Sequence, residues 1–170
     1  MPQTDDNSDR LASIYPPSKP CSCTICKGFC ARPGWWTPAE ARKALAAGYG
    51  DRMMLEIAPE RTFGVLAPAF KGCEMDFAWQ EYSHLGCTFL QDGMCELHST
   101  GYLPFECRFC HHERLGSGKE CHAEIEREWH RSKGEVLIRH WMRKVRFKHQ
   151  DYYLQYLRRG SGNSRSRGNP

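Results

Sequence analysis

Apolar positions along the chain fall into separated stretches whose spacing predicts different elements. Thr37 occupies an N-cap position, Pro38 the first helical position, and Glu40 lies three residues after Thr37, where it closes a capping box. Ala41, Ala44, Leu45 and Ala46 favour a helix of about three turns, and Gly48 is placed to end it. Next come two short apolar runs, Met53-Met54-Leu55-Glu56-Ile57 and Phe63-Gly64-Val65-Leu66, which predict a β-hairpin. A second hairpin is expected where Thr88-Phe89-Leu90 and Met94-Cys95-Glu96-Leu97 flank Gln91-Asp92-Gly93, because Asp-Gly readily supplies the positive φ angles of a tight turn. This turn would bring Cys87 and Cys95 near each other. From Cys121 the period becomes helical, with Ile125 and Trp129 four apart, then Gly134, then Leu137, Trp141, Val145, Tyr152 and Tyr156 near one face. Gly134 costs about 1 kcal/mol inside a helix, which makes it a candidate boundary between two helices.

The flanks read differently. Residues 1–20 are polar and then broken by Pro16, Pro17 and Pro20, and form an expected flexible lead-in. Residues 160–170 are nearly devoid of apolar side chains and are expected to be a disordered tail. Residues 21–159 then make one domain. Its expected class is α+β, a small irregular metal-centred unit with short β-hairpins and a C-terminal helical segment.

Composition changes this picture in three ways. A hydrophobic fraction of 40% with five Trp, eight Phe and seven Tyr suffices for a modest core, so a metal would supplement that core rather than replace it. No apolar run approaches the roughly 18 residues of a spanning helix, and the first residues lack the pattern of an export leader, so no membrane partner and a cytoplasmic, reducing setting are expected. The charge of +4 is uneven: Arg139, Arg143, Lys144, Arg146 and Lys148 stand together without an acid between them. Their plain reading is a solvated face on a packing helix. The alternative is a contact with nucleic acid or an acidic protein surface, with Trp141, Phe147 and Tyr152 interleaved.

Ten cysteines in 170 residues carry most of the chemical information. Cys21, Cys23, Cys26 and Cys30 form one group, and Cys87, Cys95, Cys107 and Cys110 another. A thiolate ligand must be deprotonated and placed by the backbone, so spacing is the signal. Cys23-x2-Cys26 lets a turn present two sulfurs to one ion, Gly28 lets the chain bend before Cys30, and Lys27 offsets thiolate charge. Cys107-x2-Cys110 repeats the pair, with His111 and His112 following. The eight cysteines are therefore candidate metal ligands, in one shared site or in two, for zinc or for an iron–sulfur cluster. At least one of His111 and His112 is expected to face the cluster, and His98 is a candidate ligand or a group that orients one. Cys73 stands apart and reads as a packing residue. Cys121, next to His122 at a helix start, reads equally as a packing residue or an activated thiol.

Cys23-x2-Cys26-x3-Cys30, the Trp36-Thr-Pro-Ala-Glu-Ala41 helix start, and Gly86-Cys-Thr-Phe-Leu-Gln-Asp-Gly-Met-Cys-Glu-Leu-His98 running to Pro104-Phe-Glu-Cys-Arg108 together resemble the YkgJ-like cysteine-cluster family. That family is described as a zinc- or iron-chelating domain, and the resemblance covers roughly Cys21 to His112. It implies metal-binding roles for Cys23, Cys26, Cys87, Cys95 and Cys107. The chain departs from the family pattern where Cys30, at a longer spacing, replaces a terminal Cys-Cys pair, and where Cys110-His111 stands in place of an apolar residue and proline. Relatives in flagellin lysine methylases carry an enzymatic reading by analogy only. No glycine-rich nucleotide loop, Gly-x-Ser-x-Gly elbow or His-Glu-x-x-His helix is present. Three function classes follow: a metal centre with a structural, storage or electron-carrying role, a cluster-dependent enzyme, and a zinc-containing nucleic-acid-binding module.

Overall fold

The computed structural model describes residues 16–58, 63–78, 84–116 and 118–162. Within them the chain forms five α-helices, a three-stranded sheet and a two-stranded sheet, an α+β arrangement as the patterning implies. Helix α1 spans Thr24–Phe29, and its N-cap is Cys23, whose Sγ accepts the Cys26 N–H at 3.5 Å. Helix α2 spans Pro38–Ala46 and opens on the expected capping box: Thr37 Oγ1 accepts the Glu40 N–H at 3.2 Å, and Glu40 Oε2 accepts the Thr37 N–H at 3.0 Å. Gly48 follows the helix at φ 97°, a left-handed conformation that glycine adopts without steric cost.

The first hairpin forms as β1 (Met53–Ile57) against β2 (Gly64–Pro68), antiparallel with Leu55 opposite Leu66. A third strand, β3 (Phe77–Ala78), joins the free edge of β1 in parallel, and two residues carry too short a pattern to announce it. Every residue of β1 and β2 is buried, including Glu56. The second hairpin is shorter than the apolar runs suggest. It pairs β4 (Leu90–Gln91) with β5 (Met94–Cys95) across Asp92 and Gly93, both at positive φ as a tight hairpin turn requires.

The C-terminal pattern resolves into three helices: α3 (Gly118–Trp129), α4 (Ser132–Lys144) and α5 (Gln150–Gly162). The first break falls at His130 and Arg131, and Gly134 lies inside α4 rather than between helices. A β-carbon at position 134 would sit 2.7 Å from the Trp129 carbonyl oxygen, so glycine is demanded by close approach. The expected single face from Leu137 to Tyr156 is also interrupted, since α4 ends at Lys144 and Arg146 turns back at φ 54°. That reversal packs Phe147 inward. Tyr153, not Tyr152, then enters the core, while Tyr152 is half exposed. The Tyr156 side chain and residues 163–170 lie outside the described residues, as do residues 1–15.

Tryptophans join these layers. Trp36, Trp129 and Trp141 are fully buried, and each indole N–H donates to a distant backbone carbonyl at 2.8 Å: Trp36 to Tyr102, Trp129 to Trp36, and Trp141 to Gly50. Each satisfies its polar atom while filling the core, as a buried indole must. Helix α4 packs on β2 and α2, and α3 packs on the 3-10 turn Glu106–Phe109 that carries Cys107.

Candidate metal centre

The first cysteine group and the two histidines meet although nearly ninety positions separate them. Ligand atoms of Cys21, Cys26, His111 and His112 all lie within 4.8 Å of one another, a group that could hold a metal ion. His112 is its hub. Its Nδ1 stands 3.7 Å from Cys21 Sγ, 3.7 Å from Cys23 Sγ and 3.4 Å from Cys26 Sγ. Local folding explains the placement. Helix α1 puts Cys26 one turn beyond its N-cap Cys23, and the His112 N–H donates to Cys26 Sγ at 3.4 Å, docking the 3-10 turn His112–Arg114 on the helix. His111 stacks on His112 with ring centroids 4.4 Å apart, and its Nδ1 accepts the Glu113 N–H.

The two thiols of this motif differ in electrostatics. At Cys23 the hydrogen bond from the Cys26 backbone lowers the pKa to about 7. Burial pushes Cys26 up to about 11. Ligation requires thiolates, so a cation must supply the charge that offsets burial at Cys26.

Cys30 bridges the first motif and the other group, beside Cys26 on one side and Cys95 and Cys110 on the other. The Cys87 N–H donates to the Cys30 carbonyl at 3.0 Å, which holds the end of α1 against the segment before β4. Gly34 N–H donates to Cys107 Sγ at 3.2 Å, and the Phe89 N–H to Cys87 Sγ at 3.4 Å. A β-carbon at Gly34 would lie 2.8 Å from the Cys107 nitrogen, so only glycine permits this approach. Burial and then the charges of Cys95, Cys110 and Cys26 push Cys30 up to about 11. Burial drives Cys87 up to about 12, with Cys95 and Cys30 adding to it. Burial also raises Cys95, with Glu96 and Cys110 adding to it. Between Cys107 and Cys110 a shared hydrogen bond keeps the proton on Cys107 and lowers Cys110. Of these five thiols from four segments, burial and neighbouring thiols disfavour ionisation at Cys30, Cys87, Cys95 and Cys107, and only Cys110 is lowered.

A cavity of about 20 Å³ separates the two groups, lined by Cys21, Cys26, Cys30, Cys95, Cys110 and His111, with His98 also at its wall. Lys27 lies there too. Its aliphatic end passes over Gly93, where a β-carbon would meet Lys27 Cε at 2.6 Å, so the hairpin tip admits a cation beside Cys95. All eight cysteines named from spacing therefore lie in one contiguous region, divided into two neighbouring groups. All ten cysteines are free thiols.

Cys73 and Cys121 lie elsewhere. Cys73 is buried, raised by burial and by Glu74 and Asp76, with no other thiol acting on it. Cys121 is 1% exposed, and burial pushes it up to about 12, which makes it a core residue rather than an activated thiol. Two polar arrangements had no local signal. Glu106 Oε1 contacts His122 Nδ1 at 2.5 Å while its Oε2 accepts the Trp35 N–H at 2.7 Å, and the same hydrogen bond raises the His122 pKa. Glu56 Oε2 accepts the Trp35 indole N–H at 2.8 Å and Oε1 pairs with Arg32 at 3.3 Å. Both partnerships cross the fold, so no spacing rule reveals them.

Along the basic stretch, Arg139 pairs with Glu135 and Lys144 donates to the Leu45 carbonyl at the end of α2. Trp141 and Phe147 are buried and offer no stacking face. No described helix is long and apolar enough to cross a membrane. No family model, curated protein or solved structure matches this chain.

Proposed function

We propose that this chain is a metal-binding protein with two adjacent centres. Cys21, Cys23, Cys26 and His112 hold one zinc ion, and four of Cys30, Cys87, Cys95, Cys107 and Cys110 hold a second zinc or an iron–sulfur cluster. The observation that carries the reading is the trio of Sγ atoms 3.4 to 3.7 Å from a single imidazole nitrogen. Zinc–sulfur and zinc–nitrogen bonds of about 2.3 and 2.0 Å at a tetrahedral angle imply a sulfur–nitrogen edge of about 3.5 Å. The three sulfur–nitrogen distances match these edges, which supports Cys23 as a ligand beside Cys21, Cys26 and His112 of the close group. His111, with Nδ1 engaged by the Glu113 N–H, supports the His112 ring from its stacked face.

The gathering of five thiols from four segments supports the second centre, because a bound cation would favour the thiolates that burial disfavours at Cys30, Cys87 and Cys95. In this reading the YkgJ-like resemblance reflects membership, with Cys23 and Cys26 serving one centre and Cys87, Cys95 and Cys107 the other. The role is structural, storage or electron-carrying. A cluster-dependent enzyme and a nucleic-acid-binding module remain the competing readings, and the burial of Trp141 and Phe147 weighs against the second of them.

Metal analysis and an absorption spectrum on anaerobically purified protein test the proposal. We expect His112→Ala to lose one equivalent of zinc while keeping the second centre, and Cys107→Ser to do the reverse. His111→Ala should retain both. Loss of both centres in each variant would show one shared site, and metal-free wild-type protein would refute the reading.

A further inference from the structure

Beside the thiol groups lies an open cleft of about 720 Å³, within the range of about 300 to 1,000 Å³ that small-molecule sites occupy. Its floor includes Cys110, which also lines the small cavity between the two groups of ligands. One wall comes from the end of α1 and the chain after it, and the other from the turn carrying Phe109 and the start of α3. Phe29 and Phe109 supply apolar surface, and Leu115 stands at the rim 62% exposed.

The charges around this cleft are uneven in a way that selects a ligand. Arg32, Arg114 and Lys119 line it against a single described carboxylate, Glu106. Glu106 is already committed, one oxygen to His122 and the other to the Trp35 N–H. Arg32 is balanced by Glu56. Among the described residues Arg114 donates to two carbonyl oxygens, those of Pro16 and Arg108. Neither Arg114 nor Lys119 pairs with a carboxylate among the described residues. A cleft with apolar walls and two cations not neutralised by acids suits a small amphiphilic anion and disfavours a neutral or cationic one.

We propose that the cleft between α1 and α3 binds a small organic anion, a carboxylate or phosphate on an apolar body. The anionic group lies between Lys119 and Arg114, and the body rests on Phe29, Phe109 and Leu115. The bound molecule would then sit over Cys110, at the edge of the proposed metal region. This goes beyond metal binding and does not depend on it, since the walls and charges belong to the chain itself.

Calorimetric titration of metal-loaded full-length protein with benzoate, phenyl phosphate and neutral benzyl alcohol tests the proposal, with metal content measured on the same samples. Saturable one-to-one binding of at least one anion below about 10 mM is expected, with benzyl alcohol at least about tenfold weaker. The two anions distinguish a carboxylate from a phosphate site. Lys119→Glu should weaken the preferred anion about tenfold or more and leave metal content unchanged. Leu115→Asp, at an exposed position, should also weaken it. No saturable binding by either anion, equal binding of benzyl alcohol, or undiminished binding by Lys119→Glu would overturn the proposal. Metal content judges the metal-binding reading separately, so failure of one is not failure of the other.

Discussion

Glu56 shows how a single residue departs from what its neighbours in sequence suggest. It is the fourth of five residues in a strand buried on both faces, where an ionised carboxylate loses most of its hydration. Burial is the largest influence on it and raises its pKa above the ordinary 4.5, even though the Trp35 indole and Arg32 both favour the charged form. A raised folded-state pKa means that the stabilising contribution is complete below the unfolded value and is lost as pH rises through the folded one. Glu56→Gln should therefore be less destabilising at about pH 8 than at about pH 5. Urea unfolding of both proteins at the two pH values checks this, and an opposite trend would show that the Arg32 pair outweighs burial. Cys110 and Cys107 make a similar point. Identical side chains three residues apart are shifted in opposite directions because one donates a hydrogen bond and the other accepts it.

At the scale of elements, local rules predict well where the determining contacts are local. The capping box of α2 needs only Thr37, Pro38 and Glu40, and it forms as written, although Glu40 Oε2 also accepts the Phe105 N–H from the cysteine-bearing segment. The Asp92-Gly93 turn forms for the same reason. By contrast, the junction of α3 and α4 is set by packing. Gly134 looks like a helix breaker by propensity, yet it is kept because the chain ahead of it folds back until the Trp129 carbonyl touches the space of a β-carbon. Gly134→Ala should accordingly destabilise the protein, by about 1–3 kcal/mol, where helix propensity alone predicts a gain of about 1 kcal/mol. Denaturant midpoints with an unchanged m-value would decide between the two.

For the whole molecule, the thiols join parts of the chain that hydrogen bonds also connect, among them Trp35 N–H to Glu106, Trp36 to the Tyr102 carbonyl and Phe105 N–H to Glu40. Cys21 to Cys30 approach from the N-terminal side, and Cys87 to His112 from the middle. The elements that carry them are a six-residue helix, 3-10 turns of three or four residues and a pair of two-residue strands, too small to hold their geometry alone. The core of tryptophans and the β1–β2 pair adjoins this region through Trp35, Trp36 and Phe89, whereas Trp141 belongs to α4, which packs on β2 and α2. Chelation should therefore lower the thermal midpoint and broaden the transition while leaving the Trp141-centred core partly folded. Calorimetry with tryptophan fluorescence checks this, and a metal-free protein that unfolds as cooperatively as the loaded one would contradict it.

The sequence by itself determined which residues are chemically special and which short segments fold by local rules: the eight clustered cysteines, the capped helix, the two hairpins and an α+β class. These are legible because each depends on neighbours within a few positions, where propensity, capping and turn geometry act. Tertiary structure alone decided that Cys30 lies among Cys26, Cys95 and Cys110, and that His112 rather than His98 stands at the hub. It also decided that Glu106 meets His122, and that Tyr153 displaces Tyr152 in the core. Each of these rests on contacts between segments separated by a turn reversal or by most of the chain. Such contacts follow from how helices and strands pack to exclude water, and no fixed spacing encodes that.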